Sequence, residues 1–211
     1  MMNEPAAGRV AKDVLRKLDD CKAIVIYKGD RKCLNIDFSD KNLRIMGQRG
    51  SGKGVACVQA VKAATTDIIC FIDGDATYDV DDLKKLVALV REGADMAIGN
   101  RFESMDREAM PSYIELGNRI ITGVANLLYN MHMSDSQTGL RAMRRHVFNS
   151  LNLKERFFGI ESEMDIKSRK AGYKVEEAPI RYYKRVGSSK QVKLLDGMKL
   201  LLLDFKFLFD G

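Results

Sequence analysis

The sequence predicts a single α/β domain built on a mostly parallel sheet. Three observations carry this. Short runs at Lys22 to Tyr27, Leu43 to Met46, Ile68 to Ile72 and Asp95 to Arg101 read as strands, and Ile68 to Ile72, rich in β-branched residues, has the length and composition of a buried parallel strand. The segments between several of them place apolar residues at helical spacing, and such alternation is the mark of a parallel architecture. The chain has 211 residues, the size of one such domain with a short appendage.

Each element follows from local pattern. Val10, Val14, Leu15 and Leu18 predict an amphipathic helix over Arg9 to Asp19, ahead of the first strand. Gly54 to Ala64 reads as a helix. Leu83, Leu86, Val87 and Val90 mark the inner face of another over Val80 to Arg91, with Gly93 as its stop and Asp79 as its cap. Phe102 to Ser112 reads as a loop and Ile114 to Met131 as a long helix. Beyond it come a short strand near Arg141, a short helix from Arg144 to Leu151, and a helix with acids in its first turn from Glu161. Lys174 to Tyr183 reads as a strand whose Pro179 predicts an edge or a bulge. Val192 to Phe209 is strongly apolar, with Leu194, Leu195, Met198, Leu201, Leu202, Phe205, Leu208 and Phe209 on one broad face. This tail either docks on the domain or lies in a membrane interface.

Composition bounds the function. With 45% hydrophobic and 30% charged residues the chain is globular. A net charge of +6 suits an anionic ligand, a membrane surface or nucleic acid. No stacking or groove-reading motif supports nucleic acid. The cysteines Cys21, Cys33, Cys57 and Cys70 have no metal or redox spacing, which points to reduced thiols and a cytoplasmic setting. No apolar run is long enough to span a bilayer.

The chemistry concentrates at strand ends. Asp73 and Asp75 leave the Ile68 to Ile72 strand at its carboxyl end, where open α/β sheets bind ligands. Two carboxylates there can hold a hard divalent cation, or form an acidic turn ahead of the next helix. Gly47 to Gly54 imitates a phosphate-cradling loop, but Gly54 stands where a magnesium-binding Ser or Thr would be needed. Lys53 at a helix amino terminus can still receive a phosphate, or the loop is a flexible turn. Arg101 and Arg119 flank one loop. Lys184 to Lys190 is a basic Gly/Ser stretch suited to phosphate oxygens.

Taken together, Gly52-Lys53-Gly54, Asp73-Gly74-Asp75, Gly99-Asn100-Arg101, Gly117-Asn118-Arg119, Asp135 to Gly139, Glu161 to Glu163 and Arg185 to Lys190 resemble the family-two glycosyltransferases of GT-A (Rossmann-like) fold. More narrowly the set is similar to the polyprenyl- and dolichyl-phosphate glycosyltransferases. The resemblance implies that Asp73 and Asp75 hold Mg2+ or Mn2+ on the donor diphosphate, and that Lys53, Arg185 and Lys190 contact the donor. It implies that Arg101 and Arg119 grip the lipid phosphate, with Asp75, Arg101 and Arg119 as the catalytic set. Asp135 and Glu163 are expected to line the site, Glu163 being the less favoured alternative as a base. Thr77 replaces a Gln that some members use beside the metal.

The amino end departs from the family. The usual first strand is lacking ahead of Met2-Asn3-Glu4-Pro5, whose Glu4 would touch the donor nucleotide, and Tyr27-Lys28-Gly29-Asp30 lacks the usual paired acids. The expectation is a GT-A domain over residues 1–190 and an amphipathic C-terminal helix over 191–211. Its reaction is inverting, metal-dependent transfer of a sugar from GDP-mannose, UDP-glucose or UDP-N-acetylglucosamine to a polyprenyl or dolichyl phosphate. The protein is then peripheral at the cytoplasmic membrane face. A sugar nucleotidyltransferase and a degenerate, non-catalytic nucleotide-sugar-binding protein remain as alternatives.

Overall fold

The computed structural model describes residues 5–185 and 194–209. Among the described residues, α-helices and β-strands follow one another along the chain. They are α1 (Ala7–Lys17), β1 (Ala23–Tyr27), β2 (Leu43–Gly47), α2 (Lys53–Ala63), β3 (Ile68–Phe71), α3 (Asp82–Arg91), β4 (Met96–Met105), α4 (Ser112–Tyr129), β5 (Arg141–Arg144), α5 (Arg145–Ser150), α6 (Ile160–Lys170), β6 (Val175–Tyr182) and α7 (Leu194–Lys206).

The strands form two sheets. β1 and β2 pair in parallel, and the other four lie in the order β3-β5-β4-β6. β4 and β6 are parallel, while β5 runs antiparallel between β3 and β4. The four-stranded sheet is therefore mixed rather than mostly parallel, and the β1–β2 sheet is parallel. β5 has only four residues, and its direction is set by pairing on both sides, Ala142 facing both Cys70 and Ala97. β6 is an edge strand, and its register against β4 shifts between Asn100 and Ser104, beside Pro179, as that proline predicts. The same pairing carries β4 on to Met105, through the first part of the expected loop.

Alternation along β3 sorts the helices onto two faces. Ile69 and Phe71 pack with Cys57 and Val61 of α2, Val147 and Phe148 of α5, and Met164 of α6. Ile68 and Ile72 pack the other way, with Val14 and Leu18 of α1 and Leu83, Leu86 and Val90 of α3. α7 docks on α4 and α6, with Phe207 and Leu203 against Ala125, Tyr129 and Ile166. Its outward side carries Met198, Leu202 and Phe205, all exposed, while Asp204 is buried. The tail thus docks through Leu203 and Phe207, which lie outside the expected apolar face, while Met198, Leu202 and Phe205 of that face stay exposed.

Candidate functional site

β3 delivers its carboxyl end into a cavity of 1760 Å³ lined by Lys28, Ser51, Lys53, Asp73, Asp75, Arg101, Glu161 and Arg185, among others. The turn that follows is tight. Asp75 accepts hydrogen bonds from the backbone N–H of Thr77 (3.2 Å) and its hydroxyl (2.7 Å), and Ala76 between them takes a left-handed φ of 60°. Thr77 therefore orients Asp75. The second Asp75 oxygen lies 3.3 Å from an Arg185 nitrogen.

Asp73 is held from the other side. The Lys53 ammonium lies 3.0 Å from Asp73 and 2.6 Å from Glu161. Burial pushes the Asp73 carboxyl up, but Lys53, Arg101 and Arg185 outweigh it and hold the group below the usual carboxylate range. Burial works against the Lys53 charge, and Asp73 and Glu161 reverse that, raising its pKa well above the usual value. Space around this pair is minimal: a Cβ on Gly139 would lie 2.5 Å from the Asp73 carboxylate.

The glycines around Lys53 have a packing reason. A Cβ on Gly52 would come within 1.9 Å of the Arg156 carbonyl, and one on Gly54 within 2.0 Å of the Glu155 carbonyl. The Gly54 N–H donates to the Arg156 carbonyl at 2.9 Å. That amide is therefore already engaged by the 155–157 loop.

Arg101 and Asp135 form a forked, buried ion pair, with nitrogen–oxygen distances of 2.6 and 2.8 Å. Asp135 also accepts the Arg101 backbone N–H, so it stands behind Arg101 and not in the cavity wall. Burial disfavours the Arg101 charge and Asp135 restores it, so the guanidinium stays firmly protonated. Arg101 lies 5.3 Å from the Tyr182 ring centre and 5.8 Å from that of Phe102. Arg119 lies 4.1 Å from the Phe102 ring centre and pairs with Glu115 at 2.9 Å, half exposed on α4. The two arginines thus share one aromatic ring, but only Arg101 reaches the cavity lining.

Glu163 is turned elsewhere. Its carboxylate accepts the backbone N–H groups of Lys154 and Glu155 and pairs with Lys167 at 2.8 Å. Glu161, two residues earlier, enters the cavity instead. Arg141 and Asp165 form a second fully buried ion pair beneath the site. Glu4 and Lys190 lie outside the described residues.

Among the described residues no three His, Cys, Asp or Glu side chains gather as a metal cluster. Asp73 and Asp75 fit the habit of magnesium, which takes one or two protein carboxylates and fills its shell with water and phosphate oxygens. The outer wall of the cavity is of another kind. Tyr113, Phe157 and Phe158 line it and are all more than half exposed. No helix among the described residues is long and apolar enough to cross a membrane.

The chain matches the family described as Glycosyl transferase family 2 over residues 19–151. It is 36% identical over 155 residues to the glycosyltransferase AglJ of Haloferax volcanii, covering 71% of this chain and 50% of that protein. It is 30% identical over 187 residues to the dolichyl-phosphate hexose transferase of the same organism, covering 89% and 81%. Among solved structures, glucosyl-3-phosphoglycerate synthase from Mycobacterium tuberculosis superposes with a TM-score of 0.76 at 17% identity, covering 97% of this chain and 77% of that one. That enzyme has also been solved with Mn2+ and UDP. The chain thus spans half the length of one of these relatives and most of the others. On the strength of the match over residues 19–151, which carries the Asp73–Asp75 turn and both Arg101 and Asp135, this chain belongs to glycosyl transferase family 2.

Proposed function

We propose that the protein transfers a sugar from a nucleotide-diphosphate sugar to a polyprenyl or dolichyl phosphate at a membrane surface. One observation carries the reading. A single cavity holds a carboxylate pair flanked by Lys53 and Arg185 at its inner end and exposed aromatic side chains at its outer wall. The inner end suits a metal-bound diphosphate, and the outer wall suits an acceptor whose phosphate carries an apolar chain. The names of the relatives point the same way.

Asp73 and Asp75 are the residues that would hold Mg2+ or Mn2+, which when bound neutralises charge on the diphosphate. Arg185 stands beside Asp75, where it stabilises the leaving group as negative charge develops. A phosphate monoester is largely ionised at neutral pH, with a second pKa of about 6, so the acceptor attacks without a strong general base. Arg101, fixed by Asp135, orients the acceptor phosphate, and positioning supplies much of the acceleration. Glu161 is excluded from free base work as long as Lys53 holds it.

The approach to the lipid falls to α4 and α7. Leu116, Ile120 and Leu127 of α4 and Met198, Leu202 and Phe205 of α7 are exposed large apolar side chains on two helices that pack together. With Lys199 and Lys206 exposed on α7, this surface enters the acyl boundary while its amines meet anionic headgroups, each worth on the order of 1 kcal/mol.

The test is a donor screen against dolichyl phosphate in anionic vesicles, with Mg2+ or Mn2+. The expected product is a glycosylated lipid phosphate, lost on chelation and on salt release of the protein from vesicles. Transfer only to water-soluble acceptors, or nucleotide binding with no turnover, would overturn the assignment.

A further inference from the structure

The segment 135–139 touches both charged halves of the site. At its start Asp135 holds Arg101. At its end Gly139 lies against Asp73 and Lys53, so closely that a Cβ there would come within 2.5 Å of the carboxylate and 3.0 Å of the ammonium. Between them the Ser136 and Thr138 carbonyls accept from Arg141 at 2.7 and 3.0 Å, and Gln137 lines the cavity. The path of this segment therefore bears on how far Arg101 stands from Asp73.

Tyr78 fixes the Gly139 end. It directly follows the turn that carries Asp73, Asp75 and Thr77, and its hydroxyl accepts the Gly139 N–H at 2.8 Å. Its ring is buried among Leu83, Leu86, Leu140 and Ile180 and meets Tyr182 edge-on at 5.2 Å. Tyr182 is also the ring beside Arg101. Burial raises the phenol pKa, with Arg101 opposing and Asp73 adding, so the hydroxyl stays protonated. A phenylalanine would fill the same apolar site with no polar group to satisfy, so packing alone does not account for the hydroxyl. Its use is the bond to Gly139.

We propose that Tyr78 is a positioning residue for transfer: through Gly139 it sets the spacing between the Asp73–Asp75 turn and Arg101. The inference rests on the donor and acceptor roles proposed above for those two groups. Transfer needs the attacking phosphate and the sugar at one fixed separation, and a misplacement of about 1 Å costs on the order of 10²-fold. Arg141 anchors the middle of the segment to Asp165, but neither residue belongs to the donor turn. The Tyr78 hydroxyl joins the chain of that turn to the segment by a directional bond. The close approach of Gly139 to Asp73 and Lys53 is what this bond holds in place.

Tyr78→Phe keeps the ring and removes only the hydroxyl. With dolichyl phosphate in vesicles and the donor that the screen selects, kcat should fall by about 10–100-fold while the KM for donor and for acceptor each stay within about threefold. Binding of UDP and of GDP with Mn2+, followed by calorimetry, should be unaltered, and Tm should fall by no more than a few degrees. Gly139→Ala strains the same link from the other side, since its Cβ meets Asp73. The double variant should then lose no more than the worse single one, within about threefold. Native kcat in Tyr78→Phe overturns the proposal alone, and so do additive losses in the double variant. A loss of nucleotide affinity that matches the fall in kcat overturns it too and makes Tyr78 a donor contact. If Tyr78→Phe melts below the assay temperature, Gly139→Ala decides: lower kcat at retained nucleotide affinity supports the link, and native kcat overturns it. No turnover by the native protein with any donor overturns the transfer reading and this inference with it.

Discussion

Around the site, charged side chains pair in two contrasting settings. In Arg101–Asp135 and Arg141–Asp165 both partners are buried and each carboxylate is engaged by a fork of nitrogens. In the cavity, Asp75 and Arg185 approach at 3.3 Å, and Asp73 shares Lys53 with Glu161. The first setting fixes loops and strands. The second leaves charges beside open volume, where a ligand can rearrange them. The same residue types therefore predict opposite outcomes, loss of fold in one set and loss of binding in the other.

The largest effect is expected in the locked set. Asp165→Ala leaves the Arg141 guanidinium buried without its partner, and removing one member of such a pair costs about 3–5 kcal/mol. Replacing both, Arg141→Met with Asp165→Leu, should recover most of that loss. Urea titration of the three variants checks it. If the single variant is as stable as the native chain, the pair is not the lock described.

Next comes the open set. Asp75→Asn keeps the acceptor for Thr77 but loses the charge facing Arg185. Turnover should fall by about 10²–10³, as when one charge-stabilising group is removed, with Tm within a few degrees of native. Nucleotide binding should lose its dependence on Mg2+ or Mn2+. Retained turnover would remove Asp75 from the site.

The contrast was partly legible in the sequence. The alternation of elements was readable because each apolar run obeys its own period, and observed boundaries fall within a few residues of those expected. The direction of β5 was not, because Arg141-Ala142-Met143-Arg144 takes it from neighbours on both sides. The separation of β1–β2 from the other strands was also hidden, since an isolated run carries no sign of whom it pairs with. Glu161 and Glu163 show a finer limit. Two residues apart on a helix is about 200°, so only one of them can face the cavity. The signal lay in Lys167, four residues past Glu163, which marks that side as an ion-pair face. Locked and open arginines looked alike because burial is not written in a motif.

A smaller effect belongs to α7, whose buried Asp204 has no forked partner among the described residues. Both Asp204 oxygens lack a donor in hydrogen-bond geometry among the described residues. Burial pushes the carboxyl up to about 7, with the Ser162 hydroxyl opposing and Asp165 adding to the rise. The folded state holds a proton that the unfolded chain gives up near pH 4, so this stabilisation is full below about pH 4 and is lost as pH rises through 7. Asp204→Asn should flatten that slope and raise Tm at pH 8 by about 2–4 °C, corresponding to about 1 kcal/mol. Equal pH dependence in the variant and native protein, by calorimetry from pH 4 to 8, would show that Asp204 does not titrate in this window.

A similarly small stability effect falls on Arg119, and it separates the two arginines that share Phe102. Arg119 is half exposed, and its Glu115 pair is of the i, i+4 kind, worth about 0.3–0.5 kcal/mol. Its stacking on Phe102 adds about 0.5–1 kcal/mol at an exposed site. Arg119→Ala should therefore cost under about 1.5 kcal/mol. Arg101→Ala instead strands the Asp135 carboxylate in the interior and belongs with the locked set. Their kinetic signatures differ as well. Arg119 stands outside the cavity, toward the exposed apolar side chains of α4, so its loss should raise the KM for lipid phosphate and leave nucleotide-sugar affinity unaltered. Arg185→Ala should do the reverse, because Arg185 stands at Asp75. Donor affinity by calorimetry and acceptor KM in vesicles, measured for both variants, decide the division. If Arg119→Ala weakens donor binding as much as Arg185→Ala does, acceptor and donor phosphates do not use separate arginines.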